Sequence, residues 1–127
     1  MTRYEELLEE YSDLDVEERE KMKHEGLYAD GCIWISKDVS ENRKACILAE
    51  EIGHHELTVG DITDQTDIAN QKQELKARKW AYRKIIPLRD IFRAMAAGYG
   101  TPWEMAEYLD VDEMFLRECL KIYGFMN

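Results

Sequence analysis

Apolar residues recur at helical spacing along most of the chain, with one short stretch of a different rhythm. Leu7, Leu8, Tyr11 and Leu14 fall near helical spacing within a charged opening segment, which predicts a short amphipathic helix. A further helical turn or two is expected over residues 16–24. The rhythm changes at Gly26-Leu27-Tyr28-Ala29-Asp30-Gly31-Cys32-Ile33-Trp34-Ile35-Ser36, where aromatic and β-branched residues flank the tight-turn pair Asp30-Gly31. That pattern predicts a β-hairpin whose second strand is 32–36. Ser40 signals a helix start, and Ala45, Leu48, Ala49 and Ile52 form the apolar side of a helix over 41–55. Polar residues 58–70 predict a loop, and a long helix follows over 70–86 until Pro87 ends it. Three short helices are expected at 88–97, 102–109 and 112–123. Thr101 precedes Pro102 as an N-cap, and Asp112 caps the last helix. The sum is an α+β, mostly α chain with one small sheet. It divides into residues 1–86 and a helical, helix-turn-helix-like subunit at 87–127 packed on them.

Length and composition narrow the class. A chain of 127 residues with 45% hydrophobic and 35% charged residues buries a core of its own, which excludes collagenous and disordered classes. No apolar run is long enough to span a bilayer and no signal segment opens the chain, so a cytoplasmic protein without a membrane partner is expected. Cys32, Cys46 and Cys119 are widely spaced and odd in number, and read as reduced thiols. The net charge of −10 argues against direct nucleic-acid binding, which depends on Lys and Arg neutralising phosphates. The acidity is concentrated at the start, where residues 1–25 hold ten acids and four bases. A solvated helical face is the simpler reading of that excess, and a docking surface for a basic partner the other.

Candidate chemistry lies in Leu48-Ala49-Glu50-Glu51-Ile52-Gly53-His54-His55. Residues four apart on a helix share a face, so Glu50 and His54 project together. That is the geometry with which the HExxH motif presents two zinc ligands, here with Glu50 in place of the first His. Carboxylate oxygen is an accepted zinc ligand. In this frame Glu51 falls at the general-base position. Alone, ExxxH reads more simply as a solvated acidic patch with a surface histidine pair. A catalytic zinc takes a third protein ligand from another element. Glu74 is the only acid over 70–86, among six Lys and Arg residues; its simpler role is an ion pair with Arg78 at i+4. Ala77, Trp80 and Ala81 offer a small and aromatic face for packing against the preceding helix.

The order of the hairpin, Cys46-Ile47-Leu48-Ala49-Glu50-Glu51-Ile52-Gly53-His54-His55, Gly60-Asp61-Ile62-Thr63-Asp64-Gln65 and Glu74…Ala77…Trp80-Ala81 resembles the ImmA/IrrE metallo-endopeptidases, in particular their short phage and prophage members. The resemblance covers about 26–123, and Glu104-Met105-Ala106-Glu107-Tyr108-Leu109…Phe115-Leu116-Arg117 also fits it. It implies a zincin-like domain with a small sheet beside the active helix, a Zn2+ ion, Glu51 as base, His54 as second ligand and Glu74 as third. It also implies action on a helix-turn-helix repressor of a phage or mobile element, inside a bacterial host cell. The sequence departs from the family motif at Glu50. His55 and Asp61 are the alternate ligands, although His55 lies about 100° from His54 on a regular helix.

The strand at 32–36 is a candidate edge for pairing with an extended substrate, or simply the apolar side of the sheet, carried by Ile33, Trp34 and Ile35. The last helix sets Asp112, Glu113 and Glu118 against Arg117 and Lys121, which fits a protein-contacting or structural unit better than a DNA reader. Two functions compete: a zinc-dependent endopeptidase relieving repression, and a non-catalytic zincin-fold antirepressor that sequesters a repressor or another protein.

Overall fold

The computed structural model describes residues 1–57 and 67–127. In chain order they form α1 (Arg3–Glu10), β1 (Asp15–Arg19), β2 (Gly26–Ala29), β3 (Cys32–Ser36), α2 (Glu41–Leu57), α3 (Asp67–Ile85), α4 (Leu88–Ala96), α5 (Pro102–Leu109) and α6 (Glu113–Tyr123). This is the expected α+β, mostly helical architecture with one small sheet. Local signals set several ends. Thr2 caps α1 in a reciprocal box, its hydroxyl accepting from Glu5 N and its own N–H donating to the Glu5 carboxylate, both at 3.1 Å. Asp112 accepts from Phe115 N at 3.0 Å and starts α6. The expected loop over 58–70 is shorter, because α3 is already helical at Asp67; residues 58–66 lie outside the described residues.

Where a further helical turn was expected after residue 16, the chain instead forms strand β1. Its burial alternates, with Val16 and Glu18 turned inward and Asp15, Glu17 and Arg19 outward. The sequence hides this strand because one of its two inward residues is charged. Glu18 is accepted there because Lys44 of α2 donates to it at 2.8 Å and the Tyr4 hydroxyl donates at 3.0 Å. Lys44 is itself buried, at 9% exposure, so the pair stands in for an apolar contact between sheet and helix. These bonds hold the Glu18 carboxyl below its usual range and the Lys44 ammonium above its own.

The sheet order is β1-β3-β2, with β1 parallel and β2 antiparallel to β3. The predicted hairpin is present. Ala29 pairs with Cys32 across a two-residue turn in which Asp30 and Gly31 both take positive φ, 47° and 82°. The strand at 32–36 is therefore not an edge as its substrate-pairing role requires: β3 is the central strand, hydrogen-bonded on both sides, and the sheet edges are β1 and β2. Three consecutive elements made this invisible in the sequence, because β1 was needed to cover the far side of β3.

Ile33 and Ile35 of β3 are fully buried, as are Leu48, Ala49 and Ile52 of α2. Helix α2 is buried along most of its length, from Lys44 to Gly53, because the sheet and α1 cover one side and α3 the other. Gly53 lets α3 come close. A Cβ there would stand 2.7 Å from the carbonyl oxygen of Ala77. One apolar cluster runs from Tyr4 to Leu120, so α4, α5 and α6 share the core of the residues before Pro87. Arg3 ties the two together, donating to Ile85 O at 3.1 Å and Leu109 O at 2.6 Å, where two helices end.

Two predictions follow from this packing. Gly53→Ala should lower stability by about 1–3 kcal/mol, because the added methyl meets backbone and not a yielding side chain; denaturant unfolding measures it. Glu18→Gln should lower stability by about 1 kcal/mol at pH 7. A carboxyl whose folded pKa is depressed contributes stability above its unfolded pKa and loses it as pH falls through the folded value. The gap between variant and parent should therefore close on acidification below pH 4.

Candidate active site

Helices α2 and α3 and strand β2 enclose a cleft of about 610 Å³. From α2 it receives Arg43, Ile47, Glu50, Glu51 and His54; from α3, Gln73, Glu74 and Arg78; from β2, Gly26, Leu27 and Tyr28. His24 and Glu25 close the end before β2. Glu50, Glu51, His54 and Glu74, read from the sequence as one constellation, thus share a single cleft. The close approach at Gly53 accounts for this: it lies one residue before His54, and Ala77 lies one turn after Glu74.

His54 Nε2 is 3.0 Å from Glu74 Oε1. Glu74 therefore reaches across to α2; no ion pair between Glu74 and Arg78 occurs within 4 Å among the described residues. Glu51 is 9% exposed, and its Oε2 has no hydrogen-bond partner among the described residues. Burial, then the charges of Glu74 and Glu50, push its carboxyl up to about 7. That is the range in which a carboxylate can both take and return a proton near neutral pH. A Cβ on Gly26 would overlap Ile47 and crowd Glu51, so a glycine keeps β2 close over this carboxylate.

Glu50 is half-buried on the same wall. Burial raises its carboxyl, Arg78 and then Arg43 lower it, and Glu74 adds to the rise. It also lines a second cavity of about 260 Å³ with Arg43, Arg78, Tyr82, Phe115 and others of α6. Arg43 is engaged elsewhere as well, 2.9 Å from Glu25 and 3.5 Å from Asp112. His55 faces away toward β2: its Nδ1 is 2.9 Å from the Tyr28 hydroxyl, and the two rings meet edge to face. The 100° rotation between neighbouring helical residues anticipated that separation. Asp61 lies outside the described residues. Arg78 was overlooked as a cleft residue, yet it stands four residues after Glu74 and so shares its face.

A tetrahedral zinc with donors near 2.0–2.1 Å holds them about 3.3 Å apart, so the His54–Glu74 spacing suits two ligands of one ion. Among the described residues no three of His, Cys, Asp and Glu are gathered closely enough to hold a metal. The fit is to two donors, with Glu51 beside them.

A long helix beneath a small sheet, crossed by a second helix that brings an acid to its histidine, is the arrangement of a zincin-like α+β domain. The sequence profile of the peptidase M78 family, described as the IrrE N-terminal-like domain, matches residues 1–121. The chain belongs to this ImmA/IrrE family. No curated protein matches the chain. No helix of the described residues is long and apolar enough to cross a membrane.

Glu51 supplies a test of the site that needs neither metal nor substrate. A carboxyl whose folded pKa is raised favours the folded state below its unfolded pKa and loses that advantage as pH rises through the folded value. Glu51→Gln, which cannot ionise, should therefore be more stable than the metal-free parent at pH 8 by roughly 3 kcal/mol, with no difference at pH 4. Paired thermal melts at the two pH values decide it.

Proposed function

We propose that the chain is a zinc-dependent endopeptidase that acts on a helix-turn-helix repressor of a phage or mobile element and so relieves repression. The observation that carries the catalytic part is the buried Oε2 of Glu51, without a hydrogen-bond partner among the described residues, beside the His54–Glu74 pair. His54 and Glu74 would hold the zinc. Glu50 is the third ligand we favour, since it lines the same wall and lies in the electrostatic field of Glu74. Zinc supplies Lewis acidity to a carbonyl and to water when bound. Glu51 takes a proton from the attacking water and returns it to the leaving amine. Its raised carboxyl suits both halves of that cycle. β2 is the sheet edge that lines the cleft, so an extended substrate would add to it as a strand. The repressor as target and the phage as source rest on the family likeness, as does the bacterial cytoplasm as location.

Zinc titration and cleavage assays on one set of variants test this reading. Parent protein should take up about one zinc per chain. Glu51→Gln should keep zinc and fold and lose cleavage by at least about 100-fold. Glu50→Ala should weaken zinc, whereas Glu50→His should keep it and speed cleavage, because a neutral ligand leaves more positive charge on the metal. Undiminished zinc affinity in Glu50→Ala would remove Glu50 from the ligand set. Relief of repression by both parent and Glu51→Gln, without cleavage by either, would favour the second function, a non-catalytic antirepressor.

A further inference from the structure

In the helical subunit, Tyr99, Trp103, Glu104, Glu107 and Tyr108 line a cavity of about 310 Å³ that shares no residue with the α2–α3 cleft. Tyr99 and Tyr108 stack, with centroids 4.7 Å apart and planes at 24°. Trp103 is 55% exposed, which leaves much of a large apolar ring to water. Glu104 is held in place at the helix start, where Thr101 donates to its Oε1 at 2.6 Å. The segment that carries it is acidic in sequence, with Glu104, Glu107, Asp110, Asp112 and Glu113 between Arg93 and Arg117; Asp112 and Glu113 are paired with Arg43 and Arg117, and Glu104 and Glu107 are the carboxylates that line the cavity.

We propose that this cavity is a binding site for a guanidinium or ammonium side chain of a partner protein's basic segment. Three aromatic rings and two carboxylates line the same opening, with one face each of Tyr99 and Tyr108 taken up by their mutual stack. A cation is attracted by both, and its aliphatic stem covers ring surface otherwise left to water. Planar guanidinium fits better than ammonium, because it stacks on a ring while its N–H groups reach the carboxylates. Nucleic acid and anionic lipid are repelled by the same charges. A second copy of this chain offers the same acidic face and no cation there. The site stands apart from the cleft, so its test involves neither zinc nor cleavage.

The test uses the full chain and acetyl-Arg-Leu-Arg-Leu-Arg-amide, followed through the indole N–H resonance of Trp103. Its shift should saturate. The isosteric citrulline peptide, and Glu107→Lys or Tyr108→Ala in the protein, should each weaken binding about fivefold or more. Glu9→Lys, an equal charge change on exposed α1, should weaken it less than twofold. Circular dichroism confirms the fold of each variant. An unsaturated shift, an equal response to citrulline, or equal weakening by Glu9→Lys would overturn the proposal. So would self-association in sedimentation that Trp103→Ala abolishes, since a second copy would then own the face.

Discussion

The structure depends on how closely α3 can approach α2. Gly53 removes the side chain that would stand between them, and the Ala77 backbone fills the space. Alanines on α3 continue the approach, with Ala77 and Ala81 at 1% and 0% exposure. Small residues at a crossing let backbones come near, and near backbones bring long side chains of each helix to the other. Glu74 thereby reaches His54, although the two are twenty positions apart in sequence. The reach of Glu74 into the cleft follows from this contact. Glu51 and Glu50 lie in the field of Glu74 because the helix carrying Glu74 is held against them.

The sheet plays the complementary part. β3 is apolar and central, and it needs a neighbour on each side. β2 reaches it through a two-residue turn, so that neighbour comes at little entropic cost. β1 comes from before the hairpin and pairs in parallel. Its place is secured by Glu18 and Lys44, a charge pair largely removed from water. With both sides of β3 satisfied, the open edge next to the cleft is β2, and Gly26 allows it to lie directly over Ile47 and Glu51. The same packing that stabilises the sheet thus decides which strand faces the site.

The helical subunit is joined to the rest by polar ties as well as core. Arg3 closes two helix ends at once, and the Tyr123 hydroxyl donates to Ile86 O at 2.8 Å. Buried thiols at Cys46 and Cys119 sit in this core, both pushed up to about 12 by burial, which makes them inert packing groups. The outer face of the subunit is where aromatic and acidic residues collect, away from the cleft.

By itself the sequence determined the helices, the Asp30-Gly31 hairpin and the pairing of Glu50 with His54 on one face, because each rests on a local rule of spacing, capping or turn chemistry. It also placed Glu74 in the constellation and separated His55 from His54. Only the tertiary structure decided the rest. β1 became a strand because Lys44, distant in sequence, donates to the Glu18 carboxylate there. β3 became central because β1 covered its free side. Glu74 turned to His54 and not to Arg78 because α3 lies against Gly53. Those outcomes depend on groups far apart along the chain, and a pattern of neighbouring residues holds no record of which distant partner will arrive.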